Sequence, residues 1–190
     1  ILPPITSTNP KFRLTVAMAD SIDSNTSLSP LLHRISSLAI SGGHHIATAE
    51  SCTGGLIATL CTSIAGSSDW FDCGMVVYSN TAKQRLLGVT TESLQHYGPI
   101  SEIVAREMAL GALSQSIADL SVAVTGIAGP AGDAIGTPVG TVWLAWARRL
   151  DGIAIPEIQR TSHSVFAGDR TDIRQQAAIT ALEGLIQVMG

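Results

Sequence analysis

From residue 29 to the C-terminus, short apolar runs of strand length alternate with segments of helical spacing, and most changes of period fall on glycine or on clusters of small residues. That alternation restricts the chain to an α/β architecture, because strands separated by helices tend to pair in parallel and to be covered on both faces. Ser29-Pro30 has the form of an N-cap followed by a first helical residue, and Leu31, Leu32, Ile35, Leu38 and Ile40 carry a helix to Gly42-Gly43. A strand over 45–49, a helix over 54–63 and a buried strand over 74–78 follow. Asn80 is placed to cap a helix over 81–87 that stops at Gly88, and Ser101 to cap an Ala-rich helix over 102–117. A third strand spans 121–125. The Gly/Pro-rich loop 126–140 leads to a fourth over 141–147, and Gly152 turns the chain toward a fifth over 158–164. The last helix covers 171–188, with Asp169 or Asp172 near its N-terminus. The spacing predicts a three-layer α/β/α sandwich on a mixed, partly parallel sheet, strands four and five forming an antiparallel hairpin. With no repeat and no internal linker, residues 29–190 are expected to be one domain. Residues 1–28, rich in Thr, Ser, Asn and Pro, are expected to be a disordered leader in which Met18 has the form of a start.

Composition narrows the function classes. Although 45% of the residues are hydrophobic, the longest apolar stretches, such as 142–147, fall far short of the roughly 20 residues of a membrane span. No membrane role is expected. A net charge of -4 without a basic run offers no footprint for nucleic acid or anionic lipid. Cys52, Cys61 and Cys73 make an odd number with no C-x-x-C pair, so neither a disulfide framework nor a zinc site is expected, and the compartment is expected to be a reducing cytoplasm. His33, His44, His45, His96 and His163 lack metal-ligand spacing, and no metal is expected. Of the eleven basic residues only Lys11 and Lys83 are lysines, and Lys11 lies in the leader. A chain that writes its positive charge as arginine keeps a lysine where a compact ammonium that can lose a proton is needed.

Four segments can carry chemistry. In Thr48-Ala49-Glu50-Ser51-Cys52-Thr53-Gly54-Gly55 a strand gives way to a helix through small residues, where a nucleophile and amide donors for an oxyanion can sit together. The pattern is neither the G-x-S-x-G elbow nor a P-loop, and the same residues also suit a plain tight turn with a Ser or Thr cap. Cys52 is a rival nucleophile or a packing residue. Tyr78-Ser79-Asn80-Thr81-Ala82-Lys83 brings a phenol and an ammonium to the crevice at the strand ends, without the dinucleotide fingerprint of a hydride enzyme. Thr125-Gly126-Ile127-Ala128-Gly129-Pro130 offers glycine backbone to a phosphate or ribose. Arg170, at the start of the last helix, suits either a phosphate clamp or an ion pair with Asp172.

Together with Ile64-Ala65-Gly66-Ser67-Ser68 and Pro138-Val139-Gly140-Thr141-Val142-Trp143, these segments resemble, in the same order, the C-terminal domain of the competence-damage-inducible (CinA) family and its stand-alone nicotinamide-mononucleotide deamidases of the PncC type. The resemblance runs from about His33 to the C-terminus. It implies an amidohydrolase without metal or organic cofactor that converts nicotinamide mononucleotide and water to nicotinic acid mononucleotide and ammonia, in pyridine-nucleotide recycling. By the same resemblance Ser51 matches the nucleophile, and Tyr78, Lys83, Thr125 and Arg170 match the residues that assist catalysis or hold substrate; Thr53, Gly54, Gly55, Asn80, Gly126 and Gly129 are expected to complete the substrate-binding set. A homo-oligomer is expected as well. Asp133 stands where the family often has Gly, and Thr137 where Lys often precedes Pro-Val-Gly.

The residues bear that assignment chemically. Ser51 needs a base within hydrogen-bond reach, and with no histidine in the motifs the base is Lys83, directly or relayed through Tyr78. The amides near Gly54 and Gly55 are expected to hold the oxyanion. The competing expectations are a non-catalytic nucleotide-binding or regulatory module using the same loops, a Cys52-based amidohydrolase, and an assembly subunit built on the Ala-rich helix.

Overall fold

The computed structural model describes residues 25–134, 136–149 and 155–190, with the side chains of 25–27 excepted. Most of the expected leader, including Lys11 and Met18, and the turn at Gly152 lie outside these residues. Five strands form one sheet in the order β2-β1-β3-β4-β5: β1 (Ile46–Glu50), β2 (Phe71–Val76), β3 (Leu120–Gly126), β4 (Thr141–Arg148) and β5 (Glu157–Val165). β1 runs parallel to β2 and β3, whereas β4 runs antiparallel to both β3 and β5. The mixed sheet and the β4–β5 hairpin agree with the sequence.

Helices cover both faces, as expected for three layers. α1 (Asn25–Gly42), α2 (Leu56–Thr62) and α6 (Arg170–Met189) bury Ile35, Ile57, Ile173 and Leu182 against Ile46, Leu120, Val122, Leu144 and Trp146. On the other face α3 (Asn80–Leu87), α4 (Thr91–His96) and α5 (Glu102–Ser114) present Leu87, Val104, Met108 and Leu113 to a floor of Ala47, Ala49, Ala123, Ala145 and Ala147. The pleat sorts the residues: alternate positions along each strand point to opposite faces, and here one face is bulky whereas the fully buried apolar centre of the other is alanine, with Met75, Trp143 and Ile158 only partly buried around it. Small floor residues let α5 approach closely, and Gly111 lets α3 end against it, since a Cβ at 111 would stand 2.0 Å from the Leu87 carbonyl oxygen.

Several boundaries differ from the sequence expectation. α1 starts at Asn25 rather than at Ser29-Pro30, because Leu28 and Leu31 pack on the core and tertiary contact holds the turn that precedes the proline. α2 starts at Leu56 rather than Gly54, since Gly54 and Gly55 have φ of 62° and 94°, outside the helical region. The cap of α3 is Ser79, whose side chain accepts from the Ala82 amide at 3.1 Å; Asn80 is the first helical residue. β2 begins three residues early and ends at Val76, because it is an edge strand with a half-exposed alternating pattern, not a buried run. α4 was not expected, although Thr90 caps it by accepting from Ser93 N at 3.0 Å.

Candidate active site

β1 is the middle of the three parallel strands, and its last residue is gripped from both sides. Glu50 pairs with Val76 of β2 and Val124 of β3, Val77 N donates to Glu50 O at 2.8 Å, and Ser51 N donates to Val124 O at 3.0 Å. Ile46 and Glu50 share one side of the strand with α2, so Ser51 follows Ala47 and Ala49 toward α3 and α5. There Lys83 meets it. Lys83 lies in the first turn of α3, only 2% exposed, and its Nζ donates to Ser51 Oγ at 2.9 Å and more distantly to the Tyr78 carbonyl at 3.5 Å. Among the described residues no carboxylate forms an ion pair with Lys83. Burial pushes its amine below the ordinary value of 10.5, with the nearby Cys52 thiol opposing, and so favours the neutral form that can take a hydroxyl proton.

The pair opens into a cavity of about 290 Å³ at the C-terminal ends of the parallel strands, the place where open α/β sheets hold ligands. Thr125, Gly126 and Gly129 line it, as the sequence suggests, together with Asn80 and Arg170. Thr125 Oγ1 donates to the Pro99 carbonyl at 2.7 Å, which ties β3 to the segment entering α5. Arg170 does not pair with Asp172. That carboxylate belongs to the capping box of α6, accepting from Asp169 N at 3.0 Å, while Asp169 accepts from the amides of Thr171 and Asp172. The guanidinium instead donates to Gly129 O and, at 3.2 Å, to the Tyr78 phenol.

Three expected positions are not cavity residues. Thr53 is fully buried with its hydroxyl unpartnered, and its carbonyl accepts from Arg174 at 2.7 Å. Gly54 N donates to Ser51 O at 3.1 Å, Gly55 N to the Glu50 carboxyl at 3.0 Å and Leu56 N to Thr53 O at 3.3 Å. Those amides are therefore spent inside the turn and do not face an oxyanion. The amides of Cys52 and Thr53 reach no oxygen among the described residues and meet only the Cys52 sulfur, a weak acceptor, and Cys52 lines the cavity beside Ser51. Tyr78 also differs from the expected proton relay: it is 62% exposed, its phenol turned to Arg170, and only its carbonyl touches Lys83. Burial pushes the Cys52 thiol up to about 11, which disfavours a thiolate nucleophile.

Four residues enter that sequence reasoning did not assign. Pro99 and Ile100 line the cavity from a loop with no motif of its own. Asp133 accepts from Thr137 N at 2.8 Å, so the two departures from the family pattern meet in one contact that closes the loop beside the cavity. The fourth is Glu50. Among the described residues no group of three His, Cys, Asp or Glu side chains is arranged to hold a metal, and no helix is long and apolar enough to cross a membrane.

Comparison with known proteins identifies the family and the fold. The family model for the CinA C-terminal domain matches residues 28–189. The chain is 51% identical over 141 residues to the nicotinamide-nucleotide amidohydrolase PncC of Enterobacter agglomerans, covering 74% of this chain and 82% of that protein. It is 44% identical over 161 residues to the protein of the same name from Pseudomonas putida, covering 81% and 96%. Among solved structures, the competence/damage-inducible protein CihA of Agrobacterium tumefaciens superposes with a TM-score of 0.75 at 44% identity, over 86% of this chain and 96% of that one. A competence- or damage-inducible protein of Enterobacter asburiae gives 0.79 at 34% identity, over 86% and 98%.

Proposed function

The chain belongs to the CinA C-terminal domain family, and on that footing we propose that it is a nicotinamide-nucleotide amidohydrolase, converting nicotinamide mononucleotide and water to nicotinic acid mononucleotide and ammonia through the Ser51 nucleophile. The relatives' shared name supports the reaction class. The observation that carries the serine is the 2.9 Å contact from Lys83 Nζ to Ser51 Oγ at the floor of the cavity.

The neutral Lys83 amine takes the Ser51 proton as Oγ attacks the carboxamide carbon. The amide next to the nucleophile, Cys52 N–H, steadies the oxyanion, in place of the amides near Gly54 and Gly55. Collapse of the tetrahedral species breaks the C–N bond, and the Lys83 ammonium returns its proton to the departing nitrogen, releasing ammonia. Water then attacks the acyl-serine, gives Lys83 a proton and leaves the carboxylic acid on the pyridine ring, after which the proton goes back to Ser51. Arg170 suits the 5′-phosphate, with Asn80 and the Gly126 and Gly129 backbone along the nucleotide. A cytoplasmic setting, a part in pyridine-nucleotide recycling and homo-oligomeric assembly belong to the same proposal; light scattering tests the last.

The deciding experiment incubates the purified chain with nicotinamide mononucleotide and measures nicotinic acid mononucleotide and ammonia in equal amounts. No product above a Ser51→Ala blank sinks the enzymatic reading and leaves a nucleotide-binding module in its place.

A further inference from the structure

Glu50 is fully buried beside the nucleophile and does not line the cavity, so it cannot act on substrate directly. Its two carboxyl oxygens accept four hydrogen bonds. Oε2 takes the amides of Gly55 at 3.0 Å and Ile57 at 3.1 Å, and Oε1 takes the amide of Ala58 at 2.8 Å and the hydroxyl of Thr48 at 3.2 Å. These amides are the otherwise unpaired N–H groups at the start of α2. No side chain of the residue at the N-cap position, Gly55, meets them. Meanwhile the Glu50 backbone is locked between β2 and β3. One residue thus clamps sheet and helix together, and the turn 51–55 is strung between the two.

Because neighbouring residues of a strand face opposite ways, the clamp acts on the α2 side while Ser51 projects toward Lys83 on the other. We propose that Glu50 is the positioning residue for the nucleophile: its acceptance of the α2 amides fixes the 51–55 turn so that Ser51 Oγ meets the carboxamide carbon while the Cys52 amide meets its oxygen. The role rests on the serine reading above. Gln at position 50 fills the same volume but turns an NH2 group toward at least one amide donor, and two donors cannot satisfy each other. The turn then shifts, and displacement of a reacting group by about 1 Å costs up to about 100-fold in rate.

The test compares Glu50→Gln, Thr48→Val, Ser51→Ala and Glu107→Gln. Glu107 is a matched control away from the cavity, a carboxyl that accepts from Thr90 N at 3.0 Å and Ser93 Oγ at 2.6 Å to hold α4. Glu50→Gln is expected to lower kcat by about 30- to 100-fold with KM within threefold of wild type. Glu107→Gln is expected to lower the melting temperature while keeping kcat. Thr48→Val, which removes one donor of the four, is expected to lower kcat severalfold at constant KM, and it decides the matter if Glu50→Gln does not fold. Wild-type kcat in both Glu50→Gln and Thr48→Val, or a loss matched by Glu107→Gln, overturns the positioning role. An active Ser51→Ala variant removes the nucleophile reading itself, so the two failures are told apart.

Discussion

Lys83 Nζ lies 2.9 Å from Ser51 Oγ with both side chains shielded from solvent, Ser51 6% and Lys83 2% exposed. A buried ammonium with no carboxylate beside it weakens the fold, and a protein tolerates that where the neutral amine has work to do. Lys83→Arg keeps charge and approximate reach but cannot release a proton, so kcat/KM is expected to fall by about 10²- to 10⁴-fold. Lys83→Met should be equally inactive yet melt no lower than wild type. Turnover assays and thermal melts on the two variants check both statements, and near-normal turnover in folded Lys83→Arg removes the base assignment.

The lowered Lys83 value sets two pH dependences. The deprotonated amine is the active form, so kcat/KM should rise with pH through the folded-state value, at lower pH than an exposed lysine near 10.5 would allow. For stability, the unfolded chain holds the lysine proton up to about 10.5 whereas the folded chain releases it earlier. The unfolded state then binds more protons in that window, and stability rises as pH increases through it. Lys83→Met should flatten this slope. Melting curves of the two proteins across alkaline pH give the comparison, and parallel curves count against a depressed value.

Cys52 should be a bystander. With its thiol pushed up to about 11 by burial, it is protonated near neutral pH and slow toward thiol reagents, whereas the half-buried Cys73 should react first. Cys52→Ala is expected to retain activity within about threefold, given the small volume removed. Loss of activity in Cys52→Ala, with Ser51→Ala unaffected, would reinstate the thiol as nucleophile.

The Arg170–Tyr78 contact predicts a binding effect rather than a chemical one. Arg170→Met should raise KM for nicotinamide mononucleotide by about 10- to 100-fold, in line with a lost charged hydrogen bond, and alter turnover of the phosphate-free riboside little. Tyr78→Phe removes only the hydroxyl that accepts from Arg170 Nη2 at 3.2 Å, and should change KM severalfold with kcat nearly constant. A hundredfold fall in kcat for Tyr78→Phe would restore the phenol as a proton relay.

The fold was legible because its signals are local. Strand and helix periods, Gly88 at the end of α3 and Ser101 before α5 each depend on a few neighbouring residues. Ser51 and Lys83 were legible for a related reason, one through a small-residue turn and the other through the scarcity of lysine. What escaped depends on partners that spacing cannot reveal. The phenol of Tyr78 answers to an arginine 92 residues on. Of the amides expected to hold an oxyanion, that of Gly54 goes to the Ser51 carbonyl and that of Gly55 to Glu50, a residue inside the quoted motif whose side chain turns the other way. Pro99 and Ile100 line the cavity on a loop that Thr125 holds by its Pro99 carbonyl, a contact between residues 26 apart. The missed helix α4 is a different case: its Thr90 cap and the acidic Glu92 in its first turn were present in the sequence and simply short.

The alanine floor beneath α5 works as a spacer whose thickness sets the width of the cavity. Pro99 and Ile100 hang from the start of α5, and Thr125 fixes them to β3, so the distance between that helix and Ala49 and Ala123 sets how far apart the cavity walls stand. A branched side chain at Ala123, a position that touches no ligand, would jack the helix outward and widen the mouth. Substrate preference can therefore drift through substitutions hidden in the core, and comparing Ala123→Val with wild type on bulkier pyridine nucleotides would measure that drift without altering any residue of the cavity wall.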